Sequence, residues 1–150
     1  MNIRKARIAD MESVHSLITY YADRGLMLAR SRSALYEAVR EFTVAEENGQ
    51  VIGAGSLHII WEDLAEIRAL AVDPRYTRRG IGRRLVQSFL EEARELGLPR
   101  VFALTYQAGF FIKCGFQPIA KEKLPQKVWK ECINCPKFPS CEEEAVIFEL

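Results

Sequence analysis

The stretch from Ala65 to Arg84 constrains the fold more than any other part of the chain. Ala65 to Val72 reads as a buried strand, and Asp73-Pro74 stops it, because proline restricts the residue before it and cannot continue a central ladder. Gly80-Ile81-Gly82 follows and opens a segment in which Leu85, Val86, Phe89, Leu90 and Ala93 form an apolar stripe opposite Arg84, Gln87, Glu91, Glu92 and Glu95, with Gly97 as the stop. Strand, glycine loop and helix start together make a site for phosphate. The glycines allow close approach and positive φ, and the first-turn N–H groups point at the anion with the macrodipole behind them. Five arginines, Arg75, Arg78, Arg79, Arg83 and Arg84, lie between positions 75 and 84 with no acid among them and add charge-assisted donors. Gly-x-Gly alone is shared with ordinary strand-to-helix turns. It is not the dinucleotide fingerprint, which needs a third glycine and an early position in the chain.

The remaining pattern extends this unit into a sheet domain. Ile3 to Ile8 reads as a strand, and Asp10 stands as N-cap to a helix carrying Met11, Val14, Leu17, Ile18 and Tyr21 at helical spacing. After Gly25, Ser31 or Ser33 caps a second helix through Leu35, Val39 and Phe42. Phe42 to Glu46 and Val51 to Ile60 form a hairpin about Asn48-Gly49. Beyond the long helix come a strand at Arg100 to Thr105, a short helix at Gly109 to Cys114, and strands at Phe116 to Lys121 and Ala145 to Leu150. The order predicts an α/β (α+β) sheet domain. One domain over 1–150 is the expectation from length, with an excursion at 122–144 before the last strand.

With 49% hydrophobic and 27% charged residues the composition is that of a globular protein, and no apolar run is long enough to span a bilayer. A net charge of +1 gives no case for nucleic acid or membrane surfaces, so the local arginine excess points to a small polyanion. The N-terminus lacks the apolar stretch of a secretion signal, and a cytoplasmic location is expected. Cys132, Cys135 and Cys141 cluster near the end. Reduced thiols or a redox-sensitive pair rank ahead of a metal there, because a structural zinc site wants four ligands and only three cysteines are in line.

Leu70-Ala71-Val72-Asp73-Pro74-Arg75-Tyr76-Thr77-Arg78-Arg79-Gly80-Ile81-Gly82-Arg83-Arg84-Leu85 resembles the central motif of the GNAT acetyltransferases, and Cys114-Gly115-Phe116 resembles the Gly-Phe near the family's C-terminal motif. The resemblance implies a mixed, splayed sheet flanked by helices and acetyl-CoA as cosubstrate. It implies that the backbone of Leu70, Ala71 and Val72 pairs with the pantetheine arm, that Arg78, Arg79, Gly80, Ile81, Gly82 and Arg83 take the pyrophosphate, and that Phe111 joins the cofactor-binding set. Thr77 departs from the family's usual Gln or Arg three residues before the first motif glycine, which removes one side-chain contact.

Within the superfamily the chain is most similar to the acetyltransferase domain of N-acetylglutamate synthases, in their short, kinase-less bacterial form. The segments carrying this likeness are Ile3-Arg4-Lys5-Ala6, Gly25-Leu26-Met27-Leu28-Ala29-Arg30-Ser31-Arg32, Ala65-Glu66-Ile67-Arg68-Ala69-Leu70-Ala71-Val72, Val101-Phe102-Ala103-Leu104-Thr105 and Leu124-Pro125-Gln126-Lys127-Val128-Trp129-Lys130-Glu131-Cys132. The acceptor it implies is the α-amine of L-glutamate, at the start of arginine biosynthesis, attacked directly in a ternary complex. A dicarboxylate calls for fixed cations, best a bidentate guanidinium. Arg30 is the first candidate and Arg32 the second, with Lys127 and Lys130 for the other carboxylate; the bland alternative for each is a solvated surface charge. Glu66 resembles the synthases' general base. Phe111 replaces the superfamily's frequent tyrosine acid, so Tyr106 and Thr105 become the candidates for returning a proton to the thiolate. His15 and His58 read as packing residues. Two other functions stay open: a GNAT acting on another small amine or a protein amine, and a non-catalytic acetyl-CoA-binding sensor. Association as a homodimer also stays open.

Overall fold

The computed structural model describes residues 1–126, 128 and 143–150. Seven strands lie in one hydrogen-bonded order, β1-β2-β3-β4-β5-β7-β6. They are β1 Asn2–Lys5, β2 Phe42–Glu47, β3 Gln50–Trp61, β4 Leu64–Val72, β5 Arg100–Thr105, β6 Gln117–Ile119 and β7 Glu144–Glu149. The helices are α1 Met11–Ala22, α2 Arg32–Glu37, α3 Ile81–Leu96 and α4 Ala108–Lys113. Two compact units divide the chain: Met1–His58 with Ile67–Glu91, and Ile59–Glu66 with Glu92–Leu150.

In the first unit β1 pairs antiparallel with β2, and β2 with β3 through the Asn48-Gly49 turn, whose two residues sit at φ 52 and 78. Both are left-handed, as the right-handed twist of a two-residue hairpin requires. Helix α1 lays Met11, Val14, Leu17 and Ile18 on Leu35, Phe42, Val44, Ala54 and Ala71. On β3, a Cβ added at Gly53 would stand 2.9 Å from a methyl of Ile81, and one at Gly55 would stand 3.0 Å from the Phe89 ring. The missing side chains are what let α3 lie this close to the strand.

The second unit is built on β5–β7, antiparallel from Arg100↔Glu149 to Thr105↔Glu144, with β6 on the far side of β7. Its core joins Leu64, Phe102, Leu124, Val128, Ala145 and Ile147. A chain of rings, Phe111 to Phe116 at 5.1 Å and Phe116 to Phe148 at 5.3 Å, packs edge-on and tilted. The parallel ladder from β4 to β5 covers Ala65↔Val101 and Glu66↔Phe102, and β4 continues six residues past it to Val72.

Two elements differ from the sequence expectation. The first strand stops at Lys5, and Ile8–Asp10 forms a turn of 3-10 helix, because the Asp10 carboxylate accepts the Arg7 N–H at 2.7 Å instead of capping α1. The second helix ends at Glu37, not near Phe42. Ser31 caps it as expected, accepting the Ala34 N–H at 3.1 Å, but Phe42 is drawn into β2, where it pairs with Ser56. Tertiary pairing overrides the helical spacing.

Arg4 of β1 holds Asp10 with both terminal nitrogens, at 2.8 and 2.9 Å, and reaches Glu46 of β2 at 3.2 Å. Asp10 is 8% exposed. The guanidinium hydrogen bond holds its carboxyl below the usual carboxylate range, against burial, which pushes the other way. With the folded value below the unfolded one of about 3.9, this contribution is complete above that pH and is lost as pH falls through the folded value. Asp10→Asn is expected to cost about 1–3 kcal/mol by removing one of the two carboxylates that hold Arg4, and to flatten the acid limb of the stability curve. Urea unfolding across pH 2.5–7 reads both quantities, and an unchanged acid limb would exclude Asp10 as its source.

Candidate active site

Strand β4 delivers the chain to the glycine loop with its end pinned. The Asp73 N–H donates to the Ile52 carbonyl at 2.8 Å, and the Tyr21 hydroxyl of α1 donates to the Val72 carbonyl. The Asp73 carboxylate accepts the Arg75 N–H at 2.9 Å and the Arg75 guanidinium at 2.9 and 3.2 Å, closing the turn Pro74–Tyr76. The Arg75 hydrogen bond is the main reason its carboxyl stays below the usual range. Arg78 and Gly80 then adopt φ 66 and 77, and α3 begins at Ile81, which is buried. Two left-handed residues ahead of a helix N-terminus turn backbone N–H groups into an anion-binding concavity.

The two motif glycines do different work. Gly80 has nothing within 4 Å of an added Cβ, so its requirement is the dihedral alone. Gly82 lies in the first turn of α3 and has no positive φ. The second left-handed position is Arg78, a residue whose type gives no hint of it. Arg79 is tied to Glu47 of the hairpin by two hydrogen bonds of 3.2 Å, with its guanidinium carbon 5.3 Å from the centre of the Tyr76 ring. The side chains of Arg78, Arg83 and Arg84 make no hydrogen bond or ion pair among the described residues.

Arg30, on the stretch between α1 and α2, lines a pocket of about 120 Å³ with Leu35, Glu41, Ser56, His58 and Arg68. Sequence reading singled out Arg30 alone of these as a ligand-binding residue. His58 Nδ1 is 2.9 Å from a Glu41 oxygen, and the Ser56 hydroxyl donates to the Arg68 carbonyl at 3.3 Å. Ala69, next along β4, sits at φ 53, a left-handed alanine inside a strand, at a cost of about 1–2 kcal/mol. Two arginines, a histidine, a glutamate and a serine thus line one small pocket. A larger hollow of about 480 Å³ beside α1 includes Asp73, whose carboxylate Arg75 already occupies.

The other sequence candidates fall as follows. Arg32 pairs with Glu12 at 2.9 Å on the exposed side of α2, and the Tyr36 hydroxyl donates to the same carboxylate at 3.0 Å. Glu66 is buried at 6% exposure, two residues before Arg68 on β4. Thr105 ends β5 with its hydroxyl accepting the Gln107 N–H at 2.7 Å, and Tyr106 follows it half-buried. Phe111 is 4% exposed, and its ring meets those of Phe110 and Phe116 at 5.2 and 5.1 Å, so in this structure the ring is core. Lys127, Lys130, Cys132, Cys135 and Cys141 lie outside the described residues. Among the described residues no three His, Cys, Asp or Glu side chains gather to hold a metal, and no helix is long and apolar enough to cross a membrane.

Residues 8–116 match the Acetyltransferase (GNAT) family. An uncharacterized N-acetyltransferase of Chlorobaculum tepidum is 42% identical over 97% of this chain and 94% of its own. An amino-acid acetyltransferase of Mycobacterium tuberculosis is 42% identical over 86% of this chain and 75% of its own. Among solved structures, N-acetylglutamate synthase from Neisseria gonorrhoeae, complexed with coenzyme A and N-acetyl-glutamate, superposes with a TM-score of 0.89 at 30% identity. That match covers 99% of this chain and 35% of the longer synthase.

The loop geometry predicts opposite outcomes for its two glycines. Gly80→Ala has room for its methyl group but must hold a left-handed φ, and is expected to lower stability by about 1 kcal/mol. Gly82→Ala places alanine in a helical turn and is expected to leave stability unchanged or raise it by up to about 1 kcal/mol. Denaturant melts of the two variants decide it, and equal losses would contradict the assignment of separate roles.

Proposed function

The chain belongs to the acetyltransferase (GNAT) family, and we propose that it moves the acetyl group of acetyl-CoA to the α-amine of L-glutamate, the first step of arginine biosynthesis. The observation that carries the acceptor is the pocket that Arg30 lines with Glu41 and His58. A guanidinium there is the planar, bidentate partner that a carboxylate-bearing amino acid calls for. The whole of 1–150 acts as one acetyltransferase domain, with the cysteine-containing excursion at 122–144 leading into the last strand.

The cosubstrate lies along the backbone of Leu70, Ala71 and Val72, with its pyrophosphate on the amides from Arg78 to Arg83. The loop fits that group: left-handed Arg78 and Gly80 precede the start of α3, and the helix's first turn carries no acid. Arg78 and Arg83 supply counter-charge, and Arg79 stays with Glu47 to hold the loop against the hairpin.

Glu66 takes the proton that the α-ammonium must lose. The amine lone pair then attacks the thioester carbonyl, the C–S bond breaks, and the thiolate takes a proton. Thr105 is suited to give it, because its oxygen accepts from Gln107 and leaves its own O–H to donate. Tyr106 is the alternative donor.

Arg30→Ala is expected to raise the KM for glutamate by about 10- to 100-fold, the worth of one charge-assisted contact, with less effect on acetyl-CoA. Equal effects on both substrates would remove Arg30 from the acceptor site. Glu66→Gln is expected to lower kcat by about two to four orders of magnitude and to erase the acidic limb of its pH profile. An unchanged profile would exclude Glu66 as the base.

A further inference from the structure

We infer that Arg68 is the second carboxylate anchor of the acceptor pocket, dividing the substrate with Arg30 so that each guanidinium holds one of its two carboxylates. This rests on the dicarboxylic amino-acid reading above and adds a residue to it. Three features support it. Arg30 and Arg68 reach the same pocket of about 120 Å³ from different parts of the chain, one from the loop before α2 and the other from β4. The acid on the pocket wall, Glu41, has a hydrogen-bonding partner of its own in His58, at 2.9 Å. The backbone at Arg68 is also fixed in an unusual way. Its carbonyl accepts the Ser56 hydroxyl at 3.3 Å, and the next residue, Ala69, is held left-handed at φ 53. A strained alanine persists where the surroundings over-determine it, and here it sets the direction in which β4 leaves Arg68.

Two cations that divide the carboxylates between them must discriminate separately. The two monoamides of glutamate, glutamine and isoglutamine, each lack one carboxylate and keep the shape. In the unmodified enzyme both should be poorer acceptors than glutamate by kcat/KM. Arg68→Gln is expected to shrink the discrimination against one monoamide by at least tenfold while leaving the other in place, and Arg30→Ala to do the reverse. Arg68→Lys, which keeps charge without the planar fork, should fall between, and the KM for acetyl-CoA should not move in any of them. If Arg68→Gln rejects both monoamides as strongly as the parent does, or if the two variants relax the same monoamide, the assignment of Arg68 is overturned and the glutamate reading stands. An unmodified enzyme that prefers glutamate to neither monoamide overturns both.

Discussion

Helix α3 can rest on β3 only where β3 has no side chains to keep it away. Gly53 receives Ile81 and Gly55 receives Phe89, so the first residue of the helix and the third turn of its apolar stripe are set directly on the strand. Much of the loop's geometry follows. With Ile81 seated, Gly80 must close the approach at φ 77 and Arg78 at φ 66, and the first-turn amides are presented together. The end of β4 is held by Ile52, Gly53's neighbour on β3, through the Asp73 N–H. The shape of the loop is thus an outcome of backbone packing, and its arginines are additions to a turn that the glycines and the helix already define.

Charge is distributed to match. In the run from Arg75 to Arg84, Arg75 and Arg79 are committed to Asp73 and Glu47 and serve the loop's shape. Arg78, Arg83 and Arg84 are exposed beside the helix start, without an ion pair among the described residues. Elsewhere in the first unit, cations are used on a smaller scale: Arg4 locks β1 to Asp10 and Glu46, Arg32 braces α2 on Glu12, and Arg30 lines the pocket. Neighbouring arginines such as Arg30 and Arg32 therefore have separate tasks that their side chains alone do not reveal.

Features carried by local pattern were legible in the sequence. The Asn48-Gly49 turn, the amphipathic α3, the strand at Arg100–Thr105 and the glycine loop into α3 each depend on residues a few positions apart, and each formed within a residue or two of expectation. Features that depend on distant pairing were not. Phe42 has helical spacing from Leu35 and Val39 but belongs to β2 once Ser56 is opposite it. Glu41, the β3 pair Ser56 and His58, and Arg68 come from three stretches of chain and meet only in the folded protein, so His58 read as a packing residue and Arg68 was singled out for no role. The signal for Arg68 was a cation inside a strand whose sequence reads as buried. Gly53 and Gly55, two residues apart on one face of β3, carried a warning of close packing that composition alone hides.

The central claim is that the arginine-bearing pocket receives a dicarboxylic amino acid for acetylation. Thiol release from acetyl-CoA by the purified protein, measured against the common L-amino acids, polyamines and a lysine peptide, tests it directly. The account predicts release with L-glutamate far above every other amine. Release with a polyamine or the peptide in preference to glutamate, or binding of acetyl-CoA without turnover on any amine, would contradict it.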